Sequence, residues 1–211
     1  MTRDEARKQI QDMLGHRGDL VDDIERAFRF VQGELESEAT LPFFLRKVDD
    51  TFVTIAGDNI IERPDDYIRL WDEDPFSIIF TNEDGAQYNV PLKKGSQRYL
   101  RQRFTGETFP MGFSEVGTQL QLFPVPTQEY PLIISYYAND TPLVANIENN
   151  WLKYLPGLMI GRAGFIVATG IRDQNAQTLF GGLAAAGTEK LAQMTTAQDE
   201  AGSRPVIGGD D

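Results

Sequence analysis

Apolar positions recur every three or four residues near both ends of the chain and every second residue through its middle. Ala6, Ile10 and Met13 mark a first helix. Thr2 and Glu5 stand ahead of it at capping-box spacing, and "GHRG" at 15–18 stops it. Asp19 is placed to cap a second helix, in which Val21, Ile24, Phe28, Val31 and Leu35 form one stripe opposite Asp23, Arg26, Arg29 and Glu36. An αα-hairpin with a single apolar stripe needs cover from elsewhere in the chain.

After "LPFFLRK" the period changes to two. "TFVTIA" (51–56), "PFSIIF" (75–80) and "QYNVPL" (87–92) read as strands, the last two joined through an Asp84-Gly85 turn. Ser96 is placed to cap a short helix over 96–104. "TQLQLFPVPTQEYPLIISYYAND" (118–140) predicts a β-hairpin, with Leu120 and Leu122 on one strand and Tyr130, Leu132, Ile134 and Tyr136 on the other. Pro124 and Pro126 cannot donate to a ladder, so they belong to its loop.

From Pro156, a residue suited to a first helical position, the pattern is helical again. Gly157, Gly161, Gly164 and Ala168 step by three and four and put the smallest side chains on one face, where another helix can approach closely. Asp173 is placed to cap a last helix through "NAQTLFGGLAAAGTEKLAQM". Beyond residue 197 too few apolar residues remain to fold, which predicts a flexible tail. The expected fold is mainly α with a β insertion, an α+β protein. Helix pairs at 1–40 and 149–196 complete each other as an antiparallel bundle around a β-rich insertion at 41–148, and an extended tail follows at 197–211.

Composition narrows the chemistry. Cysteine is absent, which removes disulfides and thiolate metal sites, and His16 is the single histidine, in a polar loop. Ser/His and Cys/His catalysis and histidine-rich metal sites lose their support. A net charge of −12 disfavours a protein that wraps nucleic acid with its whole surface. The charged start "MTRDEARKQI" does not read as a secretory signal. The apolar window 155–171 carries Arg162 and falls short of the ~20 residues of a membrane span, so a buried helix and no membrane partner are expected.

Paired acids occur at Asp22-Asp23, Asp49-Asp50, Asp65-Asp66 and Asp72-Glu73-Asp74. Most lie in turns, where solvated carboxylates are the ordinary case, and no Gly-rich phosphate loop with the Lys-Ser/Thr ending is present. A polysaccharide hydrolase would use Asp65 and Asp66, with Trp71, Tyr67 and Tyr88 stacking on sugar rings. The one basic cluster, Lys93, Lys94, Arg98, Arg101 and Arg103, has no acid among its residues. It suits pairing with acidic loops of the same or a neighbouring chain, contact with an acidic partner, or a DNA backbone as in a nucleic-acid-binding module.

The order of these features resembles the head–tail connector (adaptor) proteins of tailed bacteriophages, particularly short-tailed ones. The matching residues are "LPFF" at 41–44, "IIERPDDYIRL" at 60–70, Gly117, Leu120, Leu122, Pro124 and Pro126 leading to Tyr136-Tyr137, and Trp151-Leu152 ahead of Pro156. The resemblance implies a structural protein without catalytic residues, metal or cofactor, located at the virion neck and assembled in the host cytoplasm. It implies a ring, commonly of about twelve copies, beneath the portal protein, extending the DNA channel and carrying the tail nozzle or other tail proteins. DNA would pass without specific binding. Gly157, Gly161, Gly164 and Ala168 would pack subunits together, and Arg204, Pro205, Val206 and Ile207 in the tail would bind the portal.

Overall fold

A computed structural model describes residues 1–71, 74–81, 84–105, 109–143 and 147–202, with side chains as far as residue 196. The expected tail residues Arg204, Pro205, Val206 and Ile207, and Asp72 and Glu73 of the acidic run, lie outside the described residues. In chain order the elements are α1 (Arg3–Met13), α2 (Val21–Glu36), β1 (Arg46–Val53), β2 (Ile60–Glu62), β3 (Tyr67–Leu70), β4 (Phe76–Thr81), β5 (Gln87–Pro91), β6 (Lys93–Lys94), α3 (Gln97–Arg103), β7 (Gly112–Val116), β8 (Gln119–Phe123), β9 (Pro131–Ala138), α4 (Asn150–Tyr154), α5 (Pro156–Gly170) and α6 (Gln174–Gly202). With 45% helix and 26% strand the protein is α+β. Two compact units divide it: Met1–Leu45 with Asn139–Asp211, and Arg46–Ala138.

The helical unit begins with a satisfied cap: the Thr2 side chain accepts from the Glu5 backbone N–H, and the Glu5 carboxylate accepts from the Thr2 N–H. Asp19 does not cap α2. It lies in a 3-10 turn, Gly18–Leu20, where its carboxylate takes both an Nε and an Nη bond from Arg17 at 2.8 and 2.7 Å. That bidentate bond outcompetes a single backbone N–H as partner. Ala6, Ile10, Ile24, Phe28, Val31 and Leu35 are all fully or almost fully buried, so the expected stripe is covered. α5 and α6 run antiparallel: a Cβ at Gly161 would stand 2.4 Å from the Ala184 backbone N, one at Gly164 2.4 Å from the Phe180 ring, and one at Gly187 2.6 Å from the Leu158 backbone. The tail expected from residue 197 starts inside α6, which continues to Gly202.

The insertion holds two sheets. In the first, β9 lies between β1 on one side and β3 followed by β4 on the other, and β5 pairs with β4; every pairing is antiparallel. The second has the order β2–β8–β7–β6, with β6 and β7 parallel. The alternating runs at 118–140 are therefore not a hairpin. β8 and β9 enter different sheets, and their apolar faces meet through the core, where Leu120, Leu122, Leu132, Ile134 and Tyr136 join one buried cluster. Phe76 of one sheet meets Phe113 of the other edge to face at 5.2 Å. The real hairpin is β7–β8, turning at Gly117, whose φ of +58° favours glycine. The β4–β5 hairpin forms with Gly85 at φ +82°, and the Ser96 side chain caps α3 through the Tyr99 N–H.

Where the chain returns to the helical unit, a buried polar cluster receives it. One oxygen of Glu36, at the end of α2, accepts from Gln32 Nε2 (2.8 Å), the Asp140 backbone N–H (3.2 Å) and the fully buried Trp151 indole N–H (3.2 Å). Asp140 in turn accepts from the Trp151 and Thr141 backbone N–H groups and from Asn150 Nδ2. Asn149 caps α4 and donates to the Thr141 carbonyl. Burial pushes the Glu36 carboxyl above its ordinary value, opposed in part by these donors, and the nearby Asp140 carboxylate pushes the same way as burial.

Glu36→Ala leaves the indole and amide donors unpaired and should cost about 1–3 kcal/mol, whereas Glu36→Gln keeps an acceptor and should cost much less. Because the folded-state pKa is raised, this carboxyl's favourable contribution is complete below its ordinary 4.5 and is lost as pH rises through the raised value. Urea unfolding at neutral and mildly acidic pH should show the wild type gaining stability on acidification relative to Glu36→Gln; parallel curves contradict this.

Candidate assembly interface

The motif residues come together in pairs that are remote in sequence. In the helical unit the "LPFF" and Trp-Leu segments meet: Phe44 packs edge-on to Trp151 at 5.1 Å and stacks on Tyr154 at 5.0 Å, with Phe43 5.5 Å from Tyr154. In the insertion the "PDDYIR" segment meets the paired tyrosines of β9. Tyr136 is buried, stacks with Tyr67 at 5.7 Å and donates its hydroxyl to Asp66 at 2.9 Å, while Lys47 donates to the other Asp66 oxygen at 2.7 Å. Tyr137 has Arg46 and Arg69 at its ring, 5.7 and 5.2 Å from the centroid, and Arg46 also lies over Trp71.

These contacts give the candidate acids structural partners. The Asp66 carboxylate raises the Lys47 ammonium pKa, and burial raises the Tyr136 phenol. Burial, aided by the Glu115 charge, pushes Tyr67 up to about 12. Asp49 is held below the usual carboxylate range by the Thr51 hydroxyl and amide, and Asp23 pairs with Arg26. Asp65 is exposed, and Tyr88 stands on β5 opposite Phe80, away from the Tyr67–Trp71 end of β9. His16 is exposed and hydrogen-bonded to Asp12. Among the described residues no three acid or histidine side chains stand close enough to hold a metal ion, and no helix is long and apolar enough to cross a membrane.

The small residues of α5 serve the chain itself. Gly161, Gly164 and Ala168 are buried, and the close approach at Gly161 and Gly164 is made to α6, whereas Gly157 has open space at its Cβ position. The outer face left by this packing is apolar. Phe30 of α2 is 62% exposed, and Phe165 and Ile166 of α5 and Leu179 of α6 are also exposed. Phe30 and Ile166 border two grooves of about 450 and 460 Å³. One is lined also by Glu34, Arg162, Phe165, Gly181 and Ala184, the other by Asp23, Arg26, Ala27, Val167, Gly170 and Ile171. Arg162, central in the apolar window, reaches Glu38 at 3.1 Å and Glu34 at 3.8 Å, so the rim charges are paired. Sequence reading missed Phe30, which the stripe Ile24, Phe28, Val31 passes over; an aromatic outside the stripe was the available signal.

The basic cluster is on the insertion. Lys94 pairs with Glu115, while Lys93, Arg98, Arg101 and Arg103 are exposed, and among the described residues no carboxylate lies within 4.0 Å of these four. Leu100 and Phe104 anchor α3 against Phe123.

The motif residues thus make framework contacts, and the helical face leaves aromatic side chains in water. Residues 1–208 match the family model described as SU10 adaptor protein, which covers nearly all of the 211 residues, and the chain belongs to that family. It is accordingly a bacteriophage head–tail adaptor, a structural protein of the virion neck. No curated protein matches it.

The α5–α6 contact that supports the apolar face is sensitive to single atoms. Gly161→Ala forces a methyl into the Ala184 backbone and should destabilise by about 1–3 kcal/mol, whereas Gly157→Ala meets nothing within 4 Å and should be close to neutral. Thermal melts of the two variants check the contrast.

Proposed function

We propose that this adaptor assembles into a ring of about twelve copies beneath the portal, joins portal to tail proteins and extends the DNA channel, without a catalytic step. The observation that carries this reading is the apolar face of α2, α5 and α6. Apart from Arg162, whose charge is paired with Glu34 and Glu38, α5 is apolar around most of its circumference, yet Phe165 and Ile166 remain in water beside Phe30. Phe30 and Phe165, at 62% and 42% exposure, leave roughly 200 Å² of aromatic surface in contact with solvent, a core for one side of a subunit contact.

In this reading the four long helices form an antiparallel bundle that serves as the ring wall. Gly161, Gly164 and Ala168 contribute to subunit packing by holding α6 against α5, so that both present the outer face. The net charge of −12 suits a channel through which DNA slides without adhering. Arg204, Pro205, Val206 and Ile207 bind the portal, with the apolar pair as anchor.

Native mass spectrometry of the protein alone and mixed with a portal ring tests the proposal. The wild type should form closed oligomers, alone or on the portal, and Phe30→Asp combined with Phe165→Asp should reduce subunit association at least tenfold while the monomer stays folded by circular dichroism. A wild-type chain that remains monomeric in both conditions contradicts the ring; a doubly substituted chain that still assembles contradicts the assigned surface.

A further inference from the structure

We propose that the loop end of the β insertion beside α3 is a docking site for an acidic protein segment that carries large apolar side chains. The site is a groove of about 360 Å³ lined by Asn59, Leu100, Phe104, Phe123, Pro124 and Val125, with Arg101 and Thr105 at its edge. Its floor is rigid. Leu100, Phe104 and Phe123 form a buried cluster with Met111 packed against it. The loop after β1 is laced to the loop after β8 by Gly57 N–H to Pro126 O (2.8 Å) and Thr54 N–H to Tyr130 O (2.9 Å), and to β8 itself by Leu122 N–H to Asn59 O (2.7 Å). These laced loops hold Ile55 63% and Val125 46% exposed.

The charges around the groove are in excess of what α3 needs. Arg101 and Arg103 lie in the last turn, where cations favour the helix dipole. Arg98, the second residue of the helix, opposes that dipole, and Arg98 and Arg101 are like charges at adjacent positions on the helix surface. Both features disfavour an isolated helix, and with Lys93 they produce four cations that have no carboxylate within 4.0 Å among the described residues, on a chain of net charge −12. The Arg101 guanidinium is 5.9 Å from the Phe123 ring centroid, which puts positive charge at the mouth of an apolar slot. Carboxylates beside apolar side chains satisfy both halves of this surface. A DNA backbone would use the cations but not Val125 or the apolar floor, and the acids elsewhere on the chain would repel it. The site is confined to the insertion and does not depend on the ring.

Fluorescence anisotropy with a labelled peptide of alternating glutamate and leucine tests the assignment, using the full chain at low salt. Polyglutamate, a glutamine–leucine peptide and a short DNA duplex are the comparison probes. The glutamate–leucine peptide should bind at least tenfold tighter than each comparison probe, and Arg101→Glu with Arg103→Glu, or Val125→Asp, should each weaken it at least tenfold. If either substitution alters the melting curve, Lys93→Glu with Arg98→Glu carries the same expectation from exposed positions. Absence of peptide binding, equal binding of duplex DNA, or binding that survives the substitutions overturns the proposal. Concentration-dependent self-association abolished by Arg101→Glu with Arg103→Glu would assign the groove to a second copy and overturn it too.

Discussion

A single carboxylate oxygen at the end of α2 organises the closure of the helical unit. Glu36 collects an amide side chain, a backbone N–H and an indole N–H, and each comes from a different place: its own helix, the returning chain and α4. The inserted segment of some ninety residues must leave and re-enter at compatible points, and the pairing of Arg46 with Tyr137 makes its first and last strands neighbours. Glu36 and Asp140 then determine how Trp151 is seated, which positions α4 and, through Pro156, the start of α5. Indole and amide donors buried without an acceptor would be costly, so this arrangement tolerates few alternatives.

Aromatic packing repeats the same logic on both sides of the chain crossing. Phe43 and Phe44 precede the insertion and grip Trp151 and Tyr154, which follow it. Within the insertion, Tyr67, Arg69 and Trp71 are assembled around Tyr136 and Tyr137 by β9 pairing. Of the acid pair that stands among aromatics and arginines in the sequence, Asp66 is engaged with its neighbours, while Asp65 is exposed. Asp66 holds Lys47 and Tyr136, and cation–ring contacts enclose Tyr137. The family's recognisable motifs are framework contacts, and the surfaces open to partners carry other residues.

Those surfaces divide by chemistry. The face of α2, α5 and α6 is apolar with its rim charges paired, which suits a contact whose strength comes from excluded water. The α3 end of the insertion joins exposed cations to an apolar slot, which suits an acidic partner and a salt-dependent contact. An adaptor must hold several partners at once, and surfaces of different chemistry keep them from competing for one site.

Much of this was legible from the order of residues alone. The Thr2–Glu5 box, the Ser96 and Asp173 caps, the Pro156 helix start and the Asp84-Gly85 hairpin are local devices, complete within a few residues, and they appear where their spacing puts them. Alternation in 118–140 identified which side chains are buried but not which strands are neighbours, because period two defines faces and says nothing of pairing. β1 begins at Arg46, ahead of the alternating "TFVTIA", because the first residues of this edge strand are mostly exposed and carry no apolar period. Gly161 and Gly164 announced a close approach without naming α6 as the helix that makes it. Local chemistry along the chain thus determined the elements, their caps and their buried faces. Only the tertiary structure decided the sheet partners, the seat of Trp151 on Glu36 and the aromatic face left in water, since each depends on contacts between segments that sequence distance does not constrain.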